Sequence, residues 1–99
     1  MARRVFLVVL ATADSRLYAL RAGTGEMLWS FRSSGPVYSQ PAIAGDVVFF
    51  GSGDGNLYAL DLENGKELWR FPAGEQVGTP VPHDGGVLFT SGKSLFALE

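Results

Sequence analysis

Gly51-Ser52-Gly53-Asp54-Gly55-Asn56-Leu57-Tyr58-Ala59-Leu60-Asp61, followed by Asn64-Gly65-Lys66-Glu67-Leu68-Trp69-Arg70-Phe71, is the stretch whose reading decides the fold. Its pattern recurs. Leu17-Tyr18-Ala19-Leu20 precedes Thr24-Gly25-Glu26-Met27-Leu28-Trp29-Ser30-Phe31 forty residues earlier, and Leu95-Phe96-Ala97-Leu98 comes thirty-eight residues later. A self-similar period near forty means stacked modules, none of which can bury its faces alone. A repeat of this kind is a scaffold and carries no chemistry by itself.

The apolar runs are short, β-branched or aromatic, and broken by Gly, Pro, Asn and Asp, which is a strand signature. No window shows a helical stripe. Strands are predicted at 5–12, 16–22, 27–33, 37–43, 47–52, 56–62, 67–72, 77–82, 87–91 and 94–98. Asp54-Gly55 predicts a type I′ hairpin turn, in which both central residues take positive φ. Asn64-Gly65 is read the same way, and Gly45-Asp46 and Asp84-Gly85-Gly86 close the equivalent loops. The first repeat has Asp14-Ser15 where a glycine is expected, so its turn should be the less stable one.

Alternation tells how the sheets are used. In 57–62 one face carries Leu57, Ala59 and Asp61, and the other Tyr58, Leu60 and Leu62; strand 47–50 is apolar on both faces. Such sheets must be covered on both sides. Strand 67–71, interrupted by Glu67 and Arg70, reads as an outer strand, while Pro41, Pro80 and Pro82 assign 37–43 and 77–82 to edges, because proline cannot donate to a ladder. A proline-bearing edge, two buried middle strands and a polar outer edge describe one blade of a β-propeller. The fold class is therefore all-β, with antiparallel four-stranded blades and about two and a half of them. One domain spans 1–99, with a partial blade at 5–33, a full blade at 37–72 and a partial blade at 77–98. The blade core is expected at Tyr18, Leu20, Tyr58, Leu60, Phe96 and Leu98.

The run from Gly51 to Phe71, with Val37-Tyr38-Ser39-Gln40-Pro41-Ala42 and the looser Val77-Gly78-Thr79-Pro80, resembles the pyrroloquinoline-quinone (PQQ)-like repeat family of β-propellers. The resemblance covers essentially the whole chain. Family members include quinoprotein dehydrogenases, a propeller lipoprotein of outer-membrane protein assembly, and sensor or adaptor domains of bacterial kinases. The resemblance implies that the outer-strand tryptophan docks between neighbouring blades, a role that falls on Trp29 and Trp69. A large aromatic on an otherwise polar strand also needs a partner surface. If Trp69 is buried, Trp69→Ala should cost ~3–5 kcal/mol and leave the chain largely unfolded. The resemblance also leans towards a periplasmic or extracytoplasmic place.

Composition excludes several classes. Net charge is −2, with five basic and two acidic residues in 1–45 and three basic and eight acidic in 46–99. No basic groove accompanies the aromatic residues, so no nucleic acid is expected. There is no cysteine, which excludes a disulfide framework and a thiolate metal site. No apolar run approaches the length of a membrane span. Met1-Ala2-Arg3-Arg4, the apolar Val5 to Leu10 and Ala11-Thr12-Ala13 outline a short secretory signal. The same residues also fall on Val47 to Gly53 at the repeat offset, which reads them as a strand. Gly51-Ser52-Gly53-Asp54-Gly55 superficially suggests a phosphate loop, but a strand follows where a helix would be needed. Asp54, Asn56, Asp61 and Glu63 lack calcium-loop spacing, and His83 beside Asp84 has no nucleophile at hand.

The expected function is a non-enzymatic propeller module that acts as a protein–protein interaction scaffold, with no catalytic, cofactor or metal residues. One alternative is a piece of a PQQ-dependent quinoprotein dehydrogenase, whose relatives, as the resemblance implies, hold the cofactor with residues from many blades. Another is a purely structural, self-assembling repeat. Propellers have about 4–8 blades, and both terminal blades here already hold two middle strands, so they cannot merge into one. The chain is then a fragment, a ring closed between copies, or a short open stack. The expected partners are proteins or further copies, taken on open blade faces and edges.

Overall fold

A computed structural model describes residues 7–12, 14–37 and 39–99. The expected start of the first strand, the basic N-terminus, Ala13 and Tyr38 lie outside the described residues. Strands β1 (Leu7–Thr12), β2 (Arg16–Arg21) and β3 (Met27–Arg32) form a first sheet. Strands β4 (Ala42–Ala44), β5 (Val47–Gly51), β6 (Asn56–Asp61) and β7 (Glu67–Pro72) form a four-stranded second sheet. Strands β8 (Val81–His83), β9 (Gly86–Ser91) and β10 (Ser94–Leu98) form the third. Each is an antiparallel meander in chain order. The three stack as successive blades of an incomplete β-propeller.

Period-2 alternation gives each blade two apolar faces, and the stacking uses them differently. The Leu-x-Ala face of the first sheet, Leu17 and Ala19 with Trp29, packs on Val48, Phe50, Tyr58 and Leu60 of the second. Leu57 on the opposite face of the second sheet packs on Val87 and Phe89 of the third, with Phe96 and Leu98 joining them. The expected core therefore divides. Tyr58 and Leu60 are fully buried. Phe96 and Leu98 are half-buried against the second sheet. Tyr18 and Leu20 are half-buried and belong to neither cluster. In the first sheet the buried face is the opposite one, Leu17 and Ala19, because among the described residues only that face has a neighbouring sheet.

The inner strands are shorter than 37–43 and 77–82. Pairing in β4 begins at Ala42 and in β8 at Val81. Pro41 and Pro80 have no N–H to offer, so the ladder starts after them. Side chains do part of the pairing upstream. Ser39 Oγ accepts from the Gly51 N–H at 3.2 Å and donates to the Gly51 carbonyl at 2.9 Å. Val77 makes only an isolated bridge to Ser91.

The turn at Asp54-Gly55 is not type I′, since of the two only Gly55 (φ 92) has positive φ. The Gly55 N–H donates to the Ser52 carbonyl at 3.2 Å, which makes Gly53-Asp54 the central pair and puts Gly55 in the left-handed position after it. That is a three-residue loop with a G1-type bulge. The loop at Asn64-Gly65 is longer, with the Gly65 N–H bonded to the Asp61 carbonyl at 2.8 Å and Gly65 alone left-handed (φ 75). Type I′ geometry occurs instead at Asp84 (φ 47) and Gly85 (φ 79).

In the first repeat Ser15 (φ 78) stands at the position of Gly55 (φ 92), with the same left-handed backbone. Left-handed backbone costs an ordinary L-residue ~1–2 kcal/mol. Part of that gain is returned through the greater freedom of glycine in the unfolded chain. Ser15→Gly should therefore stabilise the chain by about 0.5–1 kcal/mol, read as a higher urea midpoint at unchanged slope. A lower midpoint would contradict this account of the turn.

Candidate interaction surfaces

The contacts inside the chain define what a blade face needs. Trp29 of β3 is 8% exposed. Its indole N–H donates to the Leu62 carbonyl of the second sheet at 2.8 Å. Its ring lies on Gly65, where an added Cβ would come within 2.5 Å of it. Phe31, two residues on, sets its edge against Phe50 (5.8 Å) and Tyr58 (5.4 Å), which stack on each other at 4.9 Å. The second contact repeats this arrangement, with Phe71 edge-on to Phe89 (5.9 Å) and Phe96 (5.5 Å), themselves stacked at 5.1 Å. Edge-to-face contacts of this kind add to simple burial. The sequence reading missed Phe31 and Phe71 as inter-blade residues. The available signal was the phenylalanine standing two residues after each tryptophan.

Among the described residues Trp69 has no neighbouring blade to dock on. It is 40% exposed and its ring meets Phe49 of its own sheet at 5.9 Å. The positions equivalent to Leu62 and Gly65, counted from Trp69, lie past Glu99, so none of the described residues closes over it.

The glycine-rich loop pins blade to blade. The buried Ser52 hydroxyl donates to the Gly35 carbonyl at 3.2 Å and lies 3.2 Å from Ser33 Oγ. Ser91, its counterpart, donates to the Glu75 carbonyl at 2.7 Å and accepts from the Glu75 N–H at 3.0 Å. The Asp54 carboxylate accepts from the backbone N–H groups of Asn56 (2.9 Å) and Ser34 (3.2 Å) and from the Tyr58 hydroxyl. Asn64 accepts from the Lys66 N–H at 2.9 Å. These are turn-capping roles. Among the described residues no three of His, Cys, Asp and Glu are grouped to hold a metal ion. His83 lies 3.1 Å from Asp84 and is well exposed. Among the described residues no helix is long and apolar enough to cross a membrane.

Arg70 is bound by both Glu67 oxygens at 2.7 and 2.8 Å and lies 5.0 Å from the Tyr58 ring centroid. Its hydrogen bonds hold Glu67 below the usual carboxylate range, and Glu67 in turn raises the guanidinium. Burial, then the hydrogen bond to Asp54, pushes the Tyr58 hydroxyl up. The unfolded chain therefore loses this proton first as pH rises. The stabilisation is full below the ordinary tyrosine value, about 10, and is lost as pH climbs from there through the folded value. Melts in that alkaline range should show the wild-type midpoint falling more steeply than that of Tyr58→Phe. Parallel curves would contradict the assignment.

The open surfaces follow from the stacking. Cross-strand register places Val81, Leu88 and Ala97 on one face of the third sheet, with Leu95 two residues from Ala97 on the same side. Leu95 is 74% exposed, whereas its repeat counterpart Leu57 is 0% exposed. Val81 and Leu88 are exposed as well. At the other end Tyr18 and Leu20, both half-buried, lie on the face of the first sheet opposite Leu17 and Ala19. Among the described residues the third sheet has an unpaired edge at β10, and the first at β1.

A family model described as outer membrane protein assembly factor BamB matches residues 2–99. Among solved structures the chain is similar to BamB from Moraxella catarrhalis, with a TM-score of 0.84 and 25% identity over 94% of this chain and 30% of that one. It is also similar to two computationally designed proteins. Ika8 has a TM-score of 0.84 and 19% identity over 98% of this chain and 31% of that one. Ika4 has a TM-score of 0.84 and 19% identity over 97% of this chain and 61% of that one. The chain thus spans under a third of the first two and less than two thirds of the third. The two designs bear on the fold alone. No curated protein matches the sequence.

Proposed function

Because the chain belongs to the family of outer membrane protein assembly factor BamB, we propose that it works as a non-catalytic propeller module, a scaffold that takes protein partners on its open blade faces and edges. The observation that supports this reading most strongly is the contrast between Leu57 and Leu95. The same residue in the same repeat position is sealed at 0% exposure inside the chain and stands at 74% on the third sheet. Leaving a leucine-lined sheet face in water forgoes ~25 cal/mol per Å² of burial, and such patches mark interaction sites.

Position 95, replaced by a photo-crosslinking residue, should form protein crosslinks in the native host extract. Position 66, in an exposed loop of the complete second blade, should not. Equal yields from the two positions would refute the face as a docking surface. A titration with PQQ and calcium, followed by tryptophan fluorescence, separates the scaffold from a dehydrogenase piece. No saturable change is expected, and saturable quenching at equimolar cofactor would overturn the non-catalytic reading.

A further inference from the structure

A chemically labile pair sits inside the contact that joins the first sheet to the second. Asn64-Gly65 is the only asparagine–glycine step in the sequence; the other asparagine, Asn56, is followed by Leu57. Glycine has no side chain to shield its backbone nitrogen, so that nitrogen can attack the amide of the asparagine before it. To do so it must give up its proton.

The folded loop treats the two reacting groups differently. Asn64 Oδ1 accepts the Lys66 N–H at 2.9 Å, which fixes the exposed amide and polarises its carbon for attack. The Gly65 nitrogen is held back. Its N–H donates to the Asp61 carbonyl at 2.8 Å, a partner too weakly basic to take the proton. The Trp29 ring lies against Gly65, and the Trp29 indole N–H ties down Leu62 of the same loop at 2.8 Å. The first repeat builds this loop from Thr24-Gly25. Gly25 shares the φ of 75, its N–H donates to the Arg21 carbonyl at 2.8 Å, and Thr24 Oγ1 accepts the Glu26 N–H at 3.2 Å. Threonine thus serves the same turn with no amide to lose.

We propose that Asn64 is a site of spontaneous deamidation, held off while Trp29 covers Gly65 and released when that contact opens locally. The Gly65 nitrogen bonds to Asn64 Cγ and closes a succinimide ring. The side-chain nitrogen leaves as ammonia, taking up the Gly65 proton. Water then opens the ring at either carbonyl to give aspartate or isoaspartate, with no oxidant or reductant. Isoaspartate routes the main chain through the former side chain. That moves Gly65 away from Asp61 and out from under the Trp29 ring, so the contact does not close again.

Peptide mapping by mass spectrometry tests this on the full chain carrying Trp69→Phe, in which Trp29 is the one tryptophan left. In mildly alkaline buffer the folded chain should convert at Asn64 about tenfold or more slowly than the same chain in denaturing urea, as expected where reaction waits on local opening. Adding Trp29→Phe, which removes the indole bond to Leu62, should speed the folded-state conversion several-fold at unchanged circular dichroism. Equal rates in the folded and denatured chain, or no acceleration by Trp29→Phe, would overturn the proposal. Should Trp29→Phe unfold, the reacted chain decides. Its isoaspartyl fraction, separated by its added negative charge, should show red-shifted and readily quenched Trp29 emission, and unchanged emission would overturn the proposal. Asn64→Thr should keep the shielded emission and abolish the charge gain. A charge gain that persists in Asn64→Thr would place the reaction elsewhere and overturn the assignment.

Discussion

Trp29→Ala is expected to leave the chain largely unfolded. The side chain is 8% exposed, bonded through its N–H to Leu62, and seated on Gly65 of the next sheet. Truncating a buried tryptophan costs ~3–5 kcal/mol. A domain of this size holds only ~5–15 kcal/mol in total. The melting midpoint should fall by on the order of 20 °C, with loss of a cooperative transition at the low end of that stability range. Trp69→Ala, at the equivalent repeat position but 40% exposed, should cost below about 1 kcal/mol. The pair is decisive because the two tryptophans share their local sequence, Leu-Trp-x-Phe, and differ only in what covers them. Equal losses at the two positions would contradict the docking geometry.

Gly51→Ala is expected to separate the second sheet from the third. A Cβ at Gly51 would sit 2.5 Å from the Val77 carbonyl oxygen, 2.6 Å from that of Gly78 and 2.6 Å from a Val77 methyl. Two of the three are backbone atoms of the segment leading into β8, and they cannot swing aside as a side-chain tip can. Overpacking of this kind costs ~1–3 kcal/mol, occasionally more, and the upper end applies where backbone must move. Urea unfolding should show a lower midpoint by that amount. Hydrogen exchange should rise first in β8 and β9. A midpoint within error of wild type would show that the inter-sheet approach is looser than described.

The repeat, the strand order and the blade character were legible in the sequence because they rest on local alternation. Leu57-Tyr58-Ala59-Leu60 and its copies mark one strand in every sheet, β2, β6 and β10. What escaped was set by neighbours. Tyr18-Leu20 and Tyr58-Leu60 read alike, but only the second pair is covered by a preceding sheet. Trp69 reads like Trp29 for the same reason. The turn at Asp54-Gly55 was misplaced by one residue because the pair fits both a two-residue loop and the end of a three-residue one. The bond from Gly55 to Ser52 decides it. The strands expected at 37–43 and 77–82 shorten to Ala42–Ala44 and Val81–His83, because Pro41 and Pro80 have no N–H with which to extend the ladder. Ser52 and Ser91 could have been found as blade pins, since they stand in the same repeat position, Ser52 just after β5 and Ser91 at the end of β9.

The central claim is that a blade's outer tryptophan is closed by the loop of the next blade, as at Trp29, and that none of the described residues closes over Trp69. Acrylamide quenching of tryptophan fluorescence tests it most directly. The account predicts two populations in the wild type, one shielded and one accessible. Trp69→Phe should remove the accessible, red-shifted component and leave a blue-shifted, weakly quenched one. Uniform quenching in the wild type, or loss of the shielded component on Trp69→Phe, would contradict it.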